Sequence, residues 1–280
     1  MRRGTGDATL RLAPGRAWQA TRTPDGAATL ALEIRGDELF AEAWGPGADR
    51  ILDDLPRRFG LDLDVVAVAP GHRLVTDLAR RHRGVGVTRS GAVLESLIPA
   101  ILEQKVTGDE ARRAFRGLVR VYGEPAPGPA ELGLRLPPAP GVLAALPYEA
   151  YHPLGLERRR AELIRRVAGR AAWFEAVTDL PLPEAHARLT ALPGLGPWTA
   201  AEVATRALGD RDAVSVGDFH LKNLVAWLLA REPRGGDARM LELLEPYRGH
   251  RAIVTRLLEA SGLRPPTYGP RLQPRRIEAI

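Results

Sequence analysis

The stretch Leu192-Pro193-Gly194-Leu195-Gly196-Pro197-Trp198-Thr199-Ala200-Ala201 decides the fold of this chain. A predicted helix ends near Ala191, and the Gly-x-Gly turn after it allows positive φ angles and close approach of another backbone. Pro197 suits the first position of a new helix, because its missing N–H costs nothing there. The stretch therefore predicts two helices joined by a tight turn.

This turn has two interpretations. It can be a tight corner between two packed helices. Alternatively, it can present backbone N–H groups at a helix N-terminus, which is an anion site suited to a DNA phosphate. In the second interpretation the DNA-binding positions are Gly194, Leu195, Gly196 and Thr199.

A carboxylate follows the turn at a short distance in sequence. Asp218 lies within Val214-Ser215-Val216-Gly217-Asp218-Phe219-His220-Leu221-Lys222, at the start of a helix predicted over 218–230. An aspartate in this position accepts hydrogen bonds from the first helical turn as an N-cap. A helix N-terminus also helps to keep a carboxylate ionised. Capping and a role as the negative charge of a site are therefore compatible.

Composition excludes several classes of chemistry. The absence of cysteine excludes disulfides, cysteine nucleophiles, thiolate zinc sites and cysteine-ligated iron–sulfur clusters. The six histidines form no zinc-protease pattern, so we expect no metal site made of side chains and no other cofactor. A net charge of +6, almost all from arginine, favours a polyanionic partner, with a coding bias as the alternative. No apolar run approaches the roughly 20 residues of a membrane span and no secretory signal opens the chain, so we expect a cytoplasmic, nucleoid-associated protein.

Hydrophobic periodicity predicts an α+β chain that is mostly α, with a small β-rich N-terminal domain over 1–70 and a helical region over 71–280. Strands are predicted at Thr29–Arg35 and Glu38–Trp44, with a short helix around 49–59. Leu94, Leu97, Ile98, Ile101 and Leu102 form an apolar helical stripe. Further helices are predicted at 109–122, 158–172, 183–191, 197–208, 218–230, 238–245 and 249–260.

The combination of Leu-Pro-Gly-Leu-Gly-Pro-Trp-Thr-Ala, a helix and Val-x-x-Asp resembles the signature of the helix-hairpin-helix DNA glycosylase superfamily. Within it, three further segments resemble DNA-3-methyladenine glycosylase II: Glu95–Glu124, Leu154–Ala161 and Leu244–Ala252. The resemblance covers roughly residues 71 to 260. It implies that 71–280 is a helical glycosylase region with its active-site cleft between helical subdomains.

The resemblance also implies an activity. It points to a monofunctional DNA glycosylase of base excision repair. Such an enzyme hydrolyses the N-glycosidic bond of alkylated, 3-methyladenine-type bases that are flipped out of duplex DNA. The resemblance implies that Asp218 is the catalytic residue. Trp198 stands where related lyases carry the lysine that forms a Schiff base, and it is a base-pocket residue here. Its alternative role is packing of the hairpin. Double-stranded DNA with damaged bases is the expected partner, and we expect a monomer.

Four more residues are implicated by the resemblance, each with an alternative. Gln104 resembles a polar residue facing the gap left by the flipped nucleotide. Lys105 replaces an apolar wedge, so it either inserts or contacts DNA phosphate, or is simply solvated. Glu202 replaces a tyrosine, and it either attracts a cationic base in the pocket or forms a surface salt bridge. Tyr247 either lines the pocket or packs in the core.

Some alternatives stay open at this level. The departures at Lys105 and Glu202 leave room for a glycosylase of the same fold that acts on oxidised or deaminated bases. A non-catalytic damaged-DNA-binding protein is a third hypothesis, although Asp218 argues against it. A monovalent cation bound by backbone carbonyls of the hairpin would leave no side-chain signature. Phosphate contact or plain solvation remain open for the arginines between Arg158 and Arg170. The basic tail Arg264–Arg271 either lies along DNA or wraps the protein surface.

Overall fold

The computed structural model describes residues 4, 6–60, 71–266 and 274–279. Its contacts form two units, each made of separated segments. Unit 1 comprises Met1–Leu55, Leu94–Glu175 and Leu272–Ile280, and unit 2 comprises Pro56–Val93 and Ala176–Arg271. The predicted sequential boundary at residue 70 differs from this division and falls beside residues 61–70, outside the described part. Thr267–Arg271 of the basic tail also lie outside it.

Helices dominate the described residues, which confirms the mixed, mostly helical fold class. In chain order they are α1 (Ala48–Asp53), α2 (Leu55–Arg58), α3 (Arg73–Arg81), α4 (Val93–Leu102), α5 (Gly108–Tyr122), α6 (Pro140–Ala145), α7 (Tyr148–Tyr151), α8 (Arg158–Ala168), α9 (Ala171–Glu175), α10 (Leu182–Thr190), α11 (Pro197–Val203), α12 (Leu221–Ala230), α13 (Asp237–Leu244) and α14 (Arg251–Ala260). A π-helical segment, Ala204–Leu208, continues α11.

Unit 1 contains one antiparallel sheet, with the strands in chain order: β1 (Leu10–Ala13), β2 (Arg16–Thr23), β3 (Gly26–Arg35) and β4 (Glu38–Trp44). Strands β3 and β4 were predicted. Strands β1 and β2 were not, because β1 is only four residues long and Trp18 is the one large apolar residue of β2. A small core forms where α1 covers the sheet, with Ile51 packed on Ala28 and Leu30.

One carboxylate of α4 bonds directly to the sheet within unit 1. Glu95, in the first turn of α4, accepts hydrogen bonds from Thr21 Oγ1 at 2.8 Å and from the backbone N–H of Arg22 at 2.7 Å. These bonds satisfy polar groups of β2 that would otherwise be costly to bury. The contacts therefore link the β-rich segment to helices that are distant in sequence, which a boundary drawn by periodicity does not anticipate.

Unit 2 contains the sequence-predicted hairpin, and its core is built from α3, α12, α13 and α14. Fully buried apolar side chains come from all four helices, for example Val75, Val225, Met240 and Val254. This packing fixes the start of α12, which follows Asp218. No helix among the described residues is both long and apolar enough to cross a bilayer.

Candidate active site

The predicted hairpin is present between α10 and α11. Gly194 has φ +106°, a backbone conformation that side-chain-bearing residues rarely adopt. Gly196 is extended, with φ −108° and ψ −179°, and Pro197 opens α11 directly after it. Among the described residues, no heavy atom lies within 4 Å of the place where a Cβ on Gly196 would sit. The outer side of the turn is therefore open at this glycine.

Two of the predicted DNA-binding positions of the turn face inward. Leu195 is 5% exposed and Thr199 is 2% exposed, so both side chains serve packing. The backbone N–H of Leu195 donates to Leu192 O at 3.0 Å within the turn, so it is not an outward-facing donor. Leu195 therefore uses both its side chain and its N–H inside the protein, whereas DNA contact through the backbone at Gly194, Gly196 and Thr199 stays a prediction.

Asp218 lies just before α12 and its carboxylate has three donors. Oδ1 accepts from the backbone N–H groups of His220 and Leu221, both at 2.8 Å. Oδ2 accepts from the indole Nε1 of Trp198 at 3.0 Å. Asp218 thus makes the hydrogen bonds of a helix cap, yet it stays half-buried rather than enclosed.

Trp198 connects the hairpin to this carboxylate. It lies at the start of α11 and is half-buried, so part of its ring remains accessible to solvent. The π-helical segment and the loop after it return the chain from α11 to Asp218, and Gly217 in that loop has φ +92°. The hairpin and the aspartate, which the sequence motif joined only by spacing, are therefore in direct contact.

Glu202 lies one turn after Trp198, and its side chain is only 17% exposed. It pairs with Arg206 on the following π-helical segment, and its Oε1 accepts from Ser215 Oγ at 2.5 Å. The structure thus gives Glu202 a salt bridge, as one alternative predicted, but a largely buried one that also holds the loop before Asp218.

Tyr247 is 4% exposed and belongs to the core of unit 2. Its hydroxyl accepts from the backbone N–H of His72 at 2.8 Å, so its polar end is also used inside the unit. This burial favours packing in the core over a role in lining a pocket. A lone tyrosine in sequence does not reveal whether its ring faces a cavity or a core.

Gln104 and Lys105 lie in unit 1, in the loop between α4 and α5. Gln104 is half-buried, whereas Lys105 is exposed and has φ +54°. A side-chain-bearing residue in this left-handed region is strained, and such strain often marks functional positions. Arg160, 2% exposed, supports the loop by donating to Leu102 O at 2.8 Å. Arg160 is therefore a structural residue rather than one of the predicted phosphate contacts.

Two residues near Asp218 were not singled out by the sequence. Phe219, the next residue, is 71% exposed, and exposed aromatic rings often contact ligands. Its position beside the motif aspartate was an available signal. Glu259 on α14 had none, since only tertiary packing brings it near this region. Glu259 is exposed, yet desolvation by the protein around its carboxyl, with the negative charges of Glu202 and Asp218, raises its pKa.

A buried carboxylate outside the site supports the hairpin. Asp210 is 6% exposed, and its Oδ2 lies 2.7 Å from His186 Nε2 on α10. Burial alone would raise the pKa of Asp210, but hydrogen bonds from His186 and from the N–H groups of Asp212 and Ala213 outweigh it and lower that pKa. Within the described part of the chain, no three His, Cys, Asp or Glu side chains are grouped to hold a metal ion.

The paired helices, the glycine turn and the capped aspartate define a class of fold. The chain has the fold of the helix-hairpin-helix DNA glycosylases, as its solved structural neighbours show. The 3-methyladenine DNA glycosylase of Archaeoglobus fulgidus superposes with a TM-score of 0.73 at 21% identity, over 92% of each chain. The 8-oxoguanine glycosylase/lyase of Clostridium acetobutylicum, bound to double-stranded DNA, superposes with a TM-score of 0.68 at 13% identity, over 92% of this chain and 89% of that one.

Sequence comparison gives one type of curated relative, the probable bifunctional transcriptional activator/DNA repair enzyme AlkA of Mycobacterium tuberculosis. It is 30% identical over 167 residues, which is 58% of this chain. The match spans about a third (31%) of that longer relative. No protein-family profile matches the chain. The resemblance to helix-hairpin-helix glycosylases found in the sequence is thus confirmed at the level of fold.

Proposed function

We propose that the chain is a monofunctional DNA glycosylase that removes alkylated bases from duplex DNA, with Asp218 as its catalytic residue. The observation that carries the proposal is the environment of that carboxylate, which receives three hydrogen bonds beside the hairpin and remains half-buried. A residue serving only as a helix cap would not need the indole donor as well. The solved structures that share this fold include DNA glycosylases, which supports glycosylase activity for this chain.

Base excision begins with extrusion of the damaged nucleotide, which costs a few kcal/mol. The open backbone at Gly196 suits a phosphate beside the extruded nucleotide. As the bond between the sugar and the base breaks, its electron pair leaves with the base and positive charge develops on the sugar. The ionised Asp218 stabilises that charge and orients a water molecule, whose oxygen forms the new bond to the sugar carbon and which then releases one proton to the solvent.

An alkylated purine is the substrate we favour, because its positive charge makes it a good leaving group. A carboxylate that stabilises the sugar is then sufficient, without strong protonation of the base. Trp198 supports the hydrolytic, rather than lyase, form of the reaction, since this hairpin position offers no amine that could form a Schiff base. Its indole face also suits an electron-poor ring.

The test uses the purified full chain and methylated duplex DNA, with unmethylated DNA as the control. We expect release of methylated purines, identified by mass spectrometry, and no protein–DNA adduct after borohydride reduction. Release of uracil or oxidised guanine without methylpurines would instead support a glycosylase for another lesion. Tight binding to damaged DNA with no released base would support a damage-binding protein. A borohydride-trapped adduct would contradict the monofunctional assignment.

A further inference from the structure

Two side chains of one helix hold the loop that carries Asp218. Trp198 and Glu202 are four residues apart on α11, so they lie on the same side of that helix. Trp198 Nε1 binds Asp218 Oδ2 at 3.0 Å, and Glu202 Oε1 binds Ser215 Oγ at 2.5 Å. The two bonds therefore fix both ends of a four-residue segment.

The loop is also closed internally and held from a second helix. The backbone N–H of Asp218 donates to Ser215 O at 3.1 Å, so the position of Ser215 is transmitted directly to the aspartate. The N–H of Gly217 donates to Asp237 Oδ1 at 3.1 Å, at the start of α13. Ser215 is itself 9% exposed, so its hydroxyl has little access to solvent as a substitute partner.

Glu202 is oriented before it receives this bond. Its second carboxylate oxygen pairs with Arg206, whose side chain is 20% exposed, and Glu202 is only 17% exposed. A largely buried, charge-assisted pair holds its geometry better than a solvated one. Both carboxylate oxygens of Glu202 thus bind protein groups, Ser215 and Arg206. Glu202 is therefore poorly suited to attract a cationic base.

We infer that Glu202 is a positioning residue that acts through Ser215 to hold the Asp218 carboxylate at the angle needed for base excision. This inference rests on the proposed function, and it assigns Glu202 a role different from contact with the substrate. The reason is geometric: a small displacement of a catalytic group can cost as much as 10²-fold in rate. The clamp, defined as Glu202, Ser215 and the Ser215–Asp218 backbone bond, limits that displacement.

The test compares Ser215→Ala with Ser215→Thr, which restores a hydroxyl, and with Ser261→Ala as a matched loss of a serine hydroxyl at the end of α14. We expect Ser215→Ala to lower the single-turnover excision rate about tenfold with unchanged affinity for DNA. Ser215→Thr should recover most of the rate, and Ser261→Ala should match the wild-type chain. Glu202→Gln keeps an acceptor for Ser215, so it should retain more activity than Glu202→Ala.

A second readout does not depend on catalysis. The indole N–H resonance of Trp198, assigned with Trp198→Phe, should shift in Ser215→Ala and stay in place in Ser261→Ala, because only the first change disturbs the Asp218 acceptor. Wild-type excision by Ser215→Ala, or an unmoved indole resonance, would overturn the inference. The inference would also be overturned if Glu202→Gln bound DNA more weakly while Ser215→Ala kept the wild-type excision rate. If the wild-type chain released no base at all, the proposed function would fail. The indole resonance in Ser215→Ala would still show whether Ser215 holds the Asp218 carboxylate in place.

Discussion

The indole Nε1 of Trp198 donates a hydrogen bond to Oδ2 of Asp218 at 3.0 Å, across 20 positions of sequence. This bond joins the first turn of the helix after the glycine hairpin to the residue that precedes the next long helix. It explains why the two motifs belong together in one site. The tryptophan and the backbone N–H groups bind different oxygens of the carboxylate, so its orientation is fixed from two sides.

Removal of the indole donor should slow catalysis while preserving the fold. Trp198→Phe keeps an aromatic ring but loses the bond to Asp218, and a hydrogen bond to a charged group contributes about 1.5–3 kcal/mol. We expect the single-turnover excision rate to fall about tenfold or more. Trp173→Phe is the control, since that tryptophan is 41% exposed in unit 1. An excision rate equal to wild type in Trp198→Phe would show that the bond has no catalytic role.

Lys105 should contribute to DNA binding at a cost in stability. Lys105→Gly relieves the left-handed backbone at φ +54°, so we expect it to be more stable than Lys105→Ala by about 1 kcal/mol in urea unfolding. If the lysine contacts a phosphate, both variants lower the salt slope of DNA binding by about one. Arg73→Ala, at a highly exposed position on α3, provides the comparison. An unchanged slope would identify Lys105 as a solvated residue.

Asp210 should stabilise the protein in a pH-dependent way. Its pKa is lowered in the folded state, so its stabilising effect is present above the ordinary aspartate pKa of 3.8 and is lost as pH falls through the folded value. Asp210→Asn should therefore reduce the free energy of unfolding at pH 7 by about 1–3 kcal/mol. The deficit should shrink below pH 3.8. The exposed Asp179→Asn should show neither effect, and a constant deficit at all pH values would refute the charged role of Asp210.

Glu259 should behave in the opposite sense. Its pKa is raised by desolvation of its carboxyl and by the nearby charges of Glu202 and Asp218, so ionisation of Glu259 opposes folding. That penalty is absent below the ordinary glutamate pKa of 4.5 and grows as pH rises through the folded value. Glu259→Gln should raise the melting temperature slightly at pH 7 but not in acid, because water screens part of the penalty at this exposed residue. Glu131→Gln, in unit 1, should change neither. A lower melting temperature at pH 7 would contradict this account.

The sequence predicted those parts of the fold that local chemistry controls. Gly194 and Pro197 were enough to predict the hairpin, and the apolar stripe between Leu94 and Leu102 was enough to predict α4, because turn and helix preferences act over a few residues. Helix α12 begins at Leu221 rather than at Asp218, since the aspartate caps the preceding turn instead of joining the helix. The discontinuous units depend on long-range bonds such as that of Glu95 to β2, and no local pattern records them.

The candidate site divides in the same way. Spacing and resemblance singled out Asp218 and Trp198 as candidates, but did not predict the hydrogen bond between them. Glu202 was ambiguous because its two alternatives differ only in what its side chain meets, and that is set by Ser215 and Arg206 in three dimensions. Tyr247 illustrates the limit most clearly, since burial, and not residue type, separates a pocket aromatic from a core one.

The central claim is that an ionised Asp218 stabilises the sugar as the base departs, and Asp218→Asn tests it most directly. Asparagine keeps the size of the side chain and an acceptor for the N–H groups of His220 and Leu221, but it removes the negative charge. On methylated duplex DNA under single-turnover conditions, we expect base release to slow by about 10²–10³-fold or more, while affinity for the DNA stays at the wild-type level. Base release at the wild-type rate by a correctly folded Asp218→Asn protein would contradict the account.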